Sequence, residues 1–249
     1  MITKKYRFRL KYLLNYLMTR GVVSTAFRGK KLILGKRNRA LLAYGSISDY
    51  EPYLQDYISN LNEKFIFCDV GANVGVMSIT AMQNKNCSAV YCIEPSTSFV
   101  LCEKNVSFHV KQIPIFFINK ALTDHHSRVK IDYAKNAALD KIADATDNAG
   151  NHTNVINSRN LIALLAEHDN IFLKVDIEGA EQFIDWRFLL KNDIIKYAVI
   201  EVWHEGIYRM IVELADRYNY HVDLYNGRFD AQIDKFESPC NILLVRNLV

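Results

Sequence analysis

From Phe65 onward the chain alternates short apolar runs with runs of helical period, and that alternation constrains the fold more than any other feature. "KFIFCDVG" reads as a strand stopped at Gly71, and "VGVMSITAMQN" as the helix that follows. "SAVYCIEP" is a second strand, closed by Pro95, and "STSFVLCEKNVSFH" a helix with Ser96 or Ser98 as its cap. "IPIFFINKAL" is a third strand, and "RVKIDY" alternates like a half-exposed strand of an antiparallel excursion. After a polar stretch, "DATDNAGNHTN", that reads as a mobile surface loop, come a short helix around "NLIALLAEH" and the strand "IFLKVDI". The helix "AEQFIDWRFLLKN", the strand "IIKYAVIEVW" and the helix "YRMIVELADRYN" follow. Two consecutive strands, "YHVDLYN" and "CNILLVRN", end the chain. The pattern predicts an α/β fold: a doubly wound, mostly parallel, seven-stranded sheet closed by a C-terminal antiparallel hairpin.

Charge divides the chain. Residues 1–48 hold twelve Lys or Arg and no acid, whereas the remainder holds 19 basic and 27 acidic groups. We read residues 1–45 as a basic N-terminal extension, a helix plus a linker, and 46–249 as the catalytic domain. "SISDYEPYLQDY", residues 46–57, begins that domain and is placed to help close a ligand site. The extension interleaves Lys4, Lys5, Arg7, Arg9 and Lys11 with Tyr6, Phe8, Tyr12 and Tyr16. Three occupants suit residues 4–20: the protein's own body, an anionic membrane surface, or nucleic acid. The acidic body argues against nucleic acid. No apolar run approaches the ~20 residues of a membrane span, and the N-terminus makes a poor signal peptide. Five cysteines without Cys-x-x-Cys spacing point to a reduced, cytoplasmic chain with no disulfide framework and no zinc site.

Two strand ends carry the chemistry. "DVGANVG", Asp69 to Gly75, spaces its glycines neither as a dinucleotide fingerprint nor as a P-loop. Glycines and a helix N-terminus let a ligand approach the backbone, while Asp69 would repel phosphate and favours a ligand bearing positive charge. Glu94, nineteen residues after Gly75, ends the second strand, where an acid accepts hydrogen bonds from both ribose hydroxyls of a nucleoside. A nucleoside carrying a sulfonium and an amino acid, S-adenosyl-L-methionine, meets both demands.

In "IFLKVDIEGAE" an apolar strand runs into Lys174, Asp176, Glu178 and Glu181. Charges at the end of a buried strand are costly unless they pair or bind. If this strand neighbours the first, Lys174, Asp176 and Glu178 share one face beside Gly71, provided the strand persists to Glu178. Asp176 is the first candidate for a general base and Glu178 the second; Lys174 holds the carboxylates or contacts substrate. Glu181 suits the start of a helix as well as it suits a site. "VIEVWHEG" adds Glu201, His204 and Glu205 on the same rim, with His204 a further candidate base. Trp203 reads as core. The acids match no defined metal-ligand spacing, and no metal is assigned.

"FCDVGANVGVMSI", "VYCIEPS", "INKALTD", "FLKVDIEGAE" and "VIEVW" occur in the order found in the FkbM family of S-adenosylmethionine-dependent methyltransferases, which residues 49–247 resemble. The resemblance implies a class I methyltransferase fold and O-methylation of a hydroxyl on a sugar, polyketide or similar metabolite. It implies that Asp69, Gly71, Asn73 and Gly75 surround the methionyl part of the cofactor and that Glu94 holds the ribose. Ser96 and the Ala121-Leu122 stretch would flank the adenine. Where many family members carry a Thr-Leu-Asp-like segment, this sequence reads "INSRN", and no substrate contact is carried over there. The expected acceptor is a glycan, glycolipid or glycosylated metabolite. Two other readings are an RNA 2′-O-methyltransferase and a non-catalytic cofactor-binding partner of a glycan enzyme.

Overall fold

The computed structural model describes residues 23–35, 38, 46–109, 112–125, 128–132, 141–144, 152–225 and 236–247. The basic segment 4–20 lies outside them. A seven-stranded sheet has the order β12-β13-β11-β10-β3-β4-β5. β3 (Phe65–Val70), β4 (Cys87–Ile93), β5 (Ile115–Ile118), β10 (Ile171–Val175) and β11 (Ile195–Val202) run parallel. β13 (Cys240–Arg246) lies antiparallel between β11 and β12 (Tyr220–Tyr225). The expected doubly wound sheet with its C-terminal hairpin is therefore present.

Both faces are covered. On one, α1 (Pro52–Asn60), α2 (Val76–Gln83) and α3 (Phe99–Phe108) bury Ile58, Met77 and Val106 against Phe67 and Phe172. On the other, α4 (Ser158–Leu165), α5 (Trp186–Lys191) and α6 (Glu205–Arg217) bury Leu161, Trp186 and Ile211 against Cys68 and Leu173. Strand alternation thus puts Phe67, Asp69, Phe172 and Lys174 on one face. The parallel register sets Lys174 directly opposite Asp69. The burial of all five β10 residues is what a two-sided strand requires.

Four local expectations change. Residues 23–34 are not a linker: β1 (Val23–Phe27) and β2 (Lys30–Leu34) form a hairpin whose Phe27, Leu32 and Leu34 join the core. Its two-residue turn, Arg28-Gly29, takes positive φ at both positions, as a tight hairpin demands. "IPIFFINKAL" divides into β5 and the short β6 (Ala121–Leu122), which pairs with β9 (His152–Ile156). β9 occupies part of the stretch read as a loop, and residues 145–151 of that stretch lie outside the described residues. β7 (Arg128–Asp132), the expected antiparallel excursion, pairs with both β9 and β8 (Lys141–Asp144). The single helix expected after Gly179 is a 3-10 turn, Ala180–Phe183, followed by α5, because Asp185 caps a new helix by accepting from the Phe188 N–H at 3.0 Å. The five cysteines are all free and buried.

Candidate active site

A cleft of about 650 Å³, including its open mouth, lies at the carboxyl ends of β3, β4 and β10, where the strand order reverses. Gly71, Asn73, Glu94, Ser96, Ala121, Asp176 and Glu178 line it. A smaller recess beside it is lined by Asp69, Met77 and Lys174, and shares Tyr50, Gly71 and Asp176 with the main cleft.

The two loop glycines answer to the protein's own packing. A Cβ on Gly71 would lie 1.8 Å from the Asp176 carbonyl oxygen, because the chain leaving β10 crosses there. The Asp176 N–H in turn donates to the Val70 carbonyl at 3.0 Å. A Cβ on Gly75 would meet Val106 Cγ2 at 2.6 Å. Both glycines also hold positive φ. Gly75 thus packs α2 against α3 and, unlike Gly71, lines neither cavity. Asn73, with φ +50°, donates its N–H to Glu94 Oε2 at 2.8 Å and accepts from Asn38 Nδ2 at 2.6 Å.

Glu94 is buried, and its other oxygen, Oε1, accepts from the Ser96 N–H at 2.8 Å. Burial raises its pKa; hydrogen bonds from Ser96 and Asn73 partly offset that. The Ser96 hydroxyl donates to this carboxylate as well, so three of its roughly four acceptor positions are filled from within the chain. Ala121, in β6, lines the same cleft.

Lys174 is 3% exposed, and its Nζ lies 3.3 Å from both Asp69 Oδ1 and Asp176 Oδ2. It also donates to the Gly71 carbonyl at 3.3 Å. Burial alone would lower the Lys174 ammonium, but Asp176, Asp69 and Glu51 outweigh it and hold the pKa above its usual value. Asp69 is fully buried, and its second oxygen accepts from Ser78 Oγ of α2 at 2.6 Å. The expected Lys174–Asp176 pairing is present. The strand, however, ends at Val175, so Glu178 does not reach the cleft by alternation. A left-handed residue, φ +54°, turns it inward instead.

Carboxylate oxygens of Asp176, Glu178 and Glu201 lie within 4.8 Å of one another. That spacing admits a divalent cation, and it is equally served by a proton shared within the cluster. Glu201 holds such a proton: burial, then the charges of Asp176 and Glu178, push its pKa up to about 10. It hydrogen-bonds Asp176, and its Oε2 accepts from Trp203 Nε1 at 2.9 Å. Trp203 is accordingly not a core residue but a half-buried rim residue that orients Glu201.

Glu181 serves structure. It is fully buried, and its Oε1 accepts from the Trp203 N–H at 2.8 Å, joining the 3-10 turn to the end of β11. His204, the N-cap residue of α6, is exposed, with Nε2 3.3 Å from Gln182 Nε2, and lines neither cavity. Sequence reasoning placed the segment of Tyr50 and Glu51 at the ligand site but singled out neither residue. Both stand in "SDYEPYL", whose signal is the proline that opens α1.

No protein-family profile matches the chain, and no curated protein matches it. Solved structures do. A SAM-dependent methyltransferase from Agrobacterium tumefaciens aligns with 90% of this chain and 69% of its own, at 10% identity and a TM-score of 0.50. For precorrin-6y C5,15-methyltransferase from Geobacter metallireducens the shares are 79% and 87%, at 11% identity and a TM-score of 0.44. TYW2 from M. jannaschii, solved with AdoMet, covers 90% and 84%, at 12% identity and a TM-score of 0.45. At these identities the likeness concerns architecture alone: the chain has the fold of the class I S-adenosylmethionine-dependent methyltransferases.

Proposed function

We propose that the chain is an S-adenosylmethionine-dependent O-methyltransferase of the FkbM kind, acting on a hydroxyl of a sugar in a glycan, glycolipid or glycosylated metabolite. The observation that carries this reading is the pairing, at one cleft, of a buried carboxylate at the end of β4 with an acid cluster at the ends of β10 and β11. The residues fit the cofactor. Glu94 lines the cleft at the end of β4, where its carboxylate is placed to accept from the ribose. Gly71 and Asn73 shape the wall toward the methionyl part, and Ser96 and Ala121 the wall toward the base.

When bound, the cofactor supplies a methyl group already activated by its sulfonium. The chain must then align a hydroxyl oxygen with that carbon and take its proton. Asp176 is the base: Lys174 fixes one of its oxygens, and neutral Glu201, held by the Trp203 indole N–H, supports it from the other side. Glu178 lines the same wall and contacts the acceptor. A well-placed base contributes roughly 10²–10⁴-fold. The basic segment 4–20 would carry the domain to an anionic membrane surface bearing a lipid-linked acceptor. Cosedimentation with anionic vesicles, lost on deleting residues 1–20, tests that part.

The primary test is isothermal titration of the full chain with S-adenosylmethionine, alongside Glu94→Ala. Binding that the variant loses supports the reading and leads to an acceptor screen with labelled methyl donor. A folded wild-type protein that binds no S-adenosylmethionine would sink it.

A further inference from the structure

The segment leading into α1 holds a carboxyl oxygen with nothing to bond. Glu51 stands between Tyr50, which lines both the cleft and the recess, and Pro52, the first residue of α1. Its backbone is left-handed, at φ +42°, a conformation that a glutamate adopts only where its surroundings hold it. The charges of Asp176, Lys174 and Asp69 act on its carboxyl, and all three line the recess, which Glu51 adjoins through Tyr50 without itself being a lining residue. Its Oε2 is closed off from solvent and accepts no hydrogen bond among the described residues.

The neighbours cannot remedy this. Lys174 is committed to Asp69, Asp176 and the Gly71 carbonyl. Asp69, which the sequence puts forward for a positively charged ligand, is itself committed to Lys174 and Ser78. Three carboxylates therefore meet one ammonium, and the uncommitted one is Glu51. Burial first, and the Asp176 charge second, raise its pKa to about 7. What the recess lacks is a compact cation with several N–H donors.

We propose that Glu51 receives the α-ammonium group of the cofactor's amino-acid part, and so selects ligands that keep this group over truncated nucleosides. The inference rests on the proposed cofactor and adds a residue to its site. It also gives the left-handed turn before Pro52 a purpose, since that turn holds a carboxyl among the charges that line the recess.

Three nucleosides separate the possibilities: S-adenosylmethionine, S-adenosylhomocysteine, which lacks the sulfonium charge, and 5′-methylthioadenosine, which lacks the amino-acid part. Each is titrated calorimetrically into the full-length wild type and Glu51→Gln. The expected result is a weakening of tenfold or more for the first two and less than twofold for methylthioadenosine. Homocysteine-ligand affinity of the wild type should rise from pH 6 to pH 8 as Glu51 ionises, and the variant should lose that rise. Equal weakening for all three nucleosides would overturn the proposal in favour of a packing role. Weakening confined to S-adenosylmethionine would overturn it in favour of sulfonium recognition. If Glu51→Gln does not fold, Glu51→Asp, which keeps the charge and withdraws it by one methylene, carries the same comparison. A wild type that binds none of the three removes the cofactor reading itself; one that binds them without discrimination at Glu51 removes only this inference.

Discussion

The two ends of the cleft differ in how far the protein satisfies its own polar groups. Around Glu94 both carboxylate oxygens accept backbone N–H groups, and Asn73 is steadied by Asn38. Around Asp176 the carboxyls of Glu51, Asp69, Glu178 and Glu201 gather near one lysine, and two of them hold protons above the ordinary carboxylate range. The first end is organised before any ligand arrives and should change little on binding. The second carries surplus negative charge, which costs stability in the free protein and is relieved by a cationic ligand. One cleft thus combines a rigid template with an electrostatic deficit, and the deficit is where chemistry is expected.

The largest effect should come from breaking the buried pair at the base of the second end. Lys174→Met leaves Asp69 buried and unpaired and should cost about 3–5 kcal/mol, read from urea unfolding. Adding Asp69→Asn to that variant should recover part of the loss; no recovery would show that the pair is not the source. Next, Asp176→Asn should lower kcat by roughly 10²–10⁴-fold in a labelled-methyl assay while cofactor affinity stays within a few-fold. A matching fall in affinity would mean that Asp176 belongs to the template rather than to the chemistry. Third, Glu94→Ala removes charge-assisted hydrogen bonds and should weaken S-adenosylmethionine about a hundredfold by calorimetry.

The smallest effect has the opposite sign. Glu201 ionises near 10 in the folded chain and near 4.3 when unfolded, so the folded state binds the extra proton between those values. Stability of the free protein should fall as pH rises through that window. Glu201→Gln removes the cost and should gain about 1–2 kcal/mol at pH 8, on the order of 2–8 °C in Tm. A variant less stable than wild type at pH 8 would contradict the charge surplus.

Much of the template end was legible because it is local. A strand, a Gly-x-x-x-Gly turn and an acid nineteen residues later lie close in sequence, and Glu94 lines the cleft as expected. That β10 lies beside β3 was legible too, since a fourth strand beside the first is a topological rule; the Lys174–Asp69 pair that this register creates was not. The second end was only half readable. Glu178 arrives by a left-handed turn that nothing in "KVDIEG" announces except its glycine, and Glu201 depends on an indole two residues away. Glu51 comes from the segment before β3, which reads as closing a ligand site without its glutamate standing out. His204 looked chemical by residue type, yet its place as an α6 cap residue sets it outside the cavities. Gly75 looked like ligand space and is helix-packing space.

The insertion of β13 between β11 and β12 has a consequence for how the chain is made. Synthesis delivers β11 and β12 first, and neither can pair with the other at the spacing the finished sheet imposes. Until residues 240–246 have left the ribosome, β11 presents an open edge to whatever strand is near. The strand that closes it brings its own lock: the Arg246 guanidinium donates to the carbonyls of Leu190, Asn192 and Tyr218. Completion of the domain is therefore a late and nearly simultaneous event on that side, and the nascent chain spends the interval before it most exposed to chaperones and to its own copies.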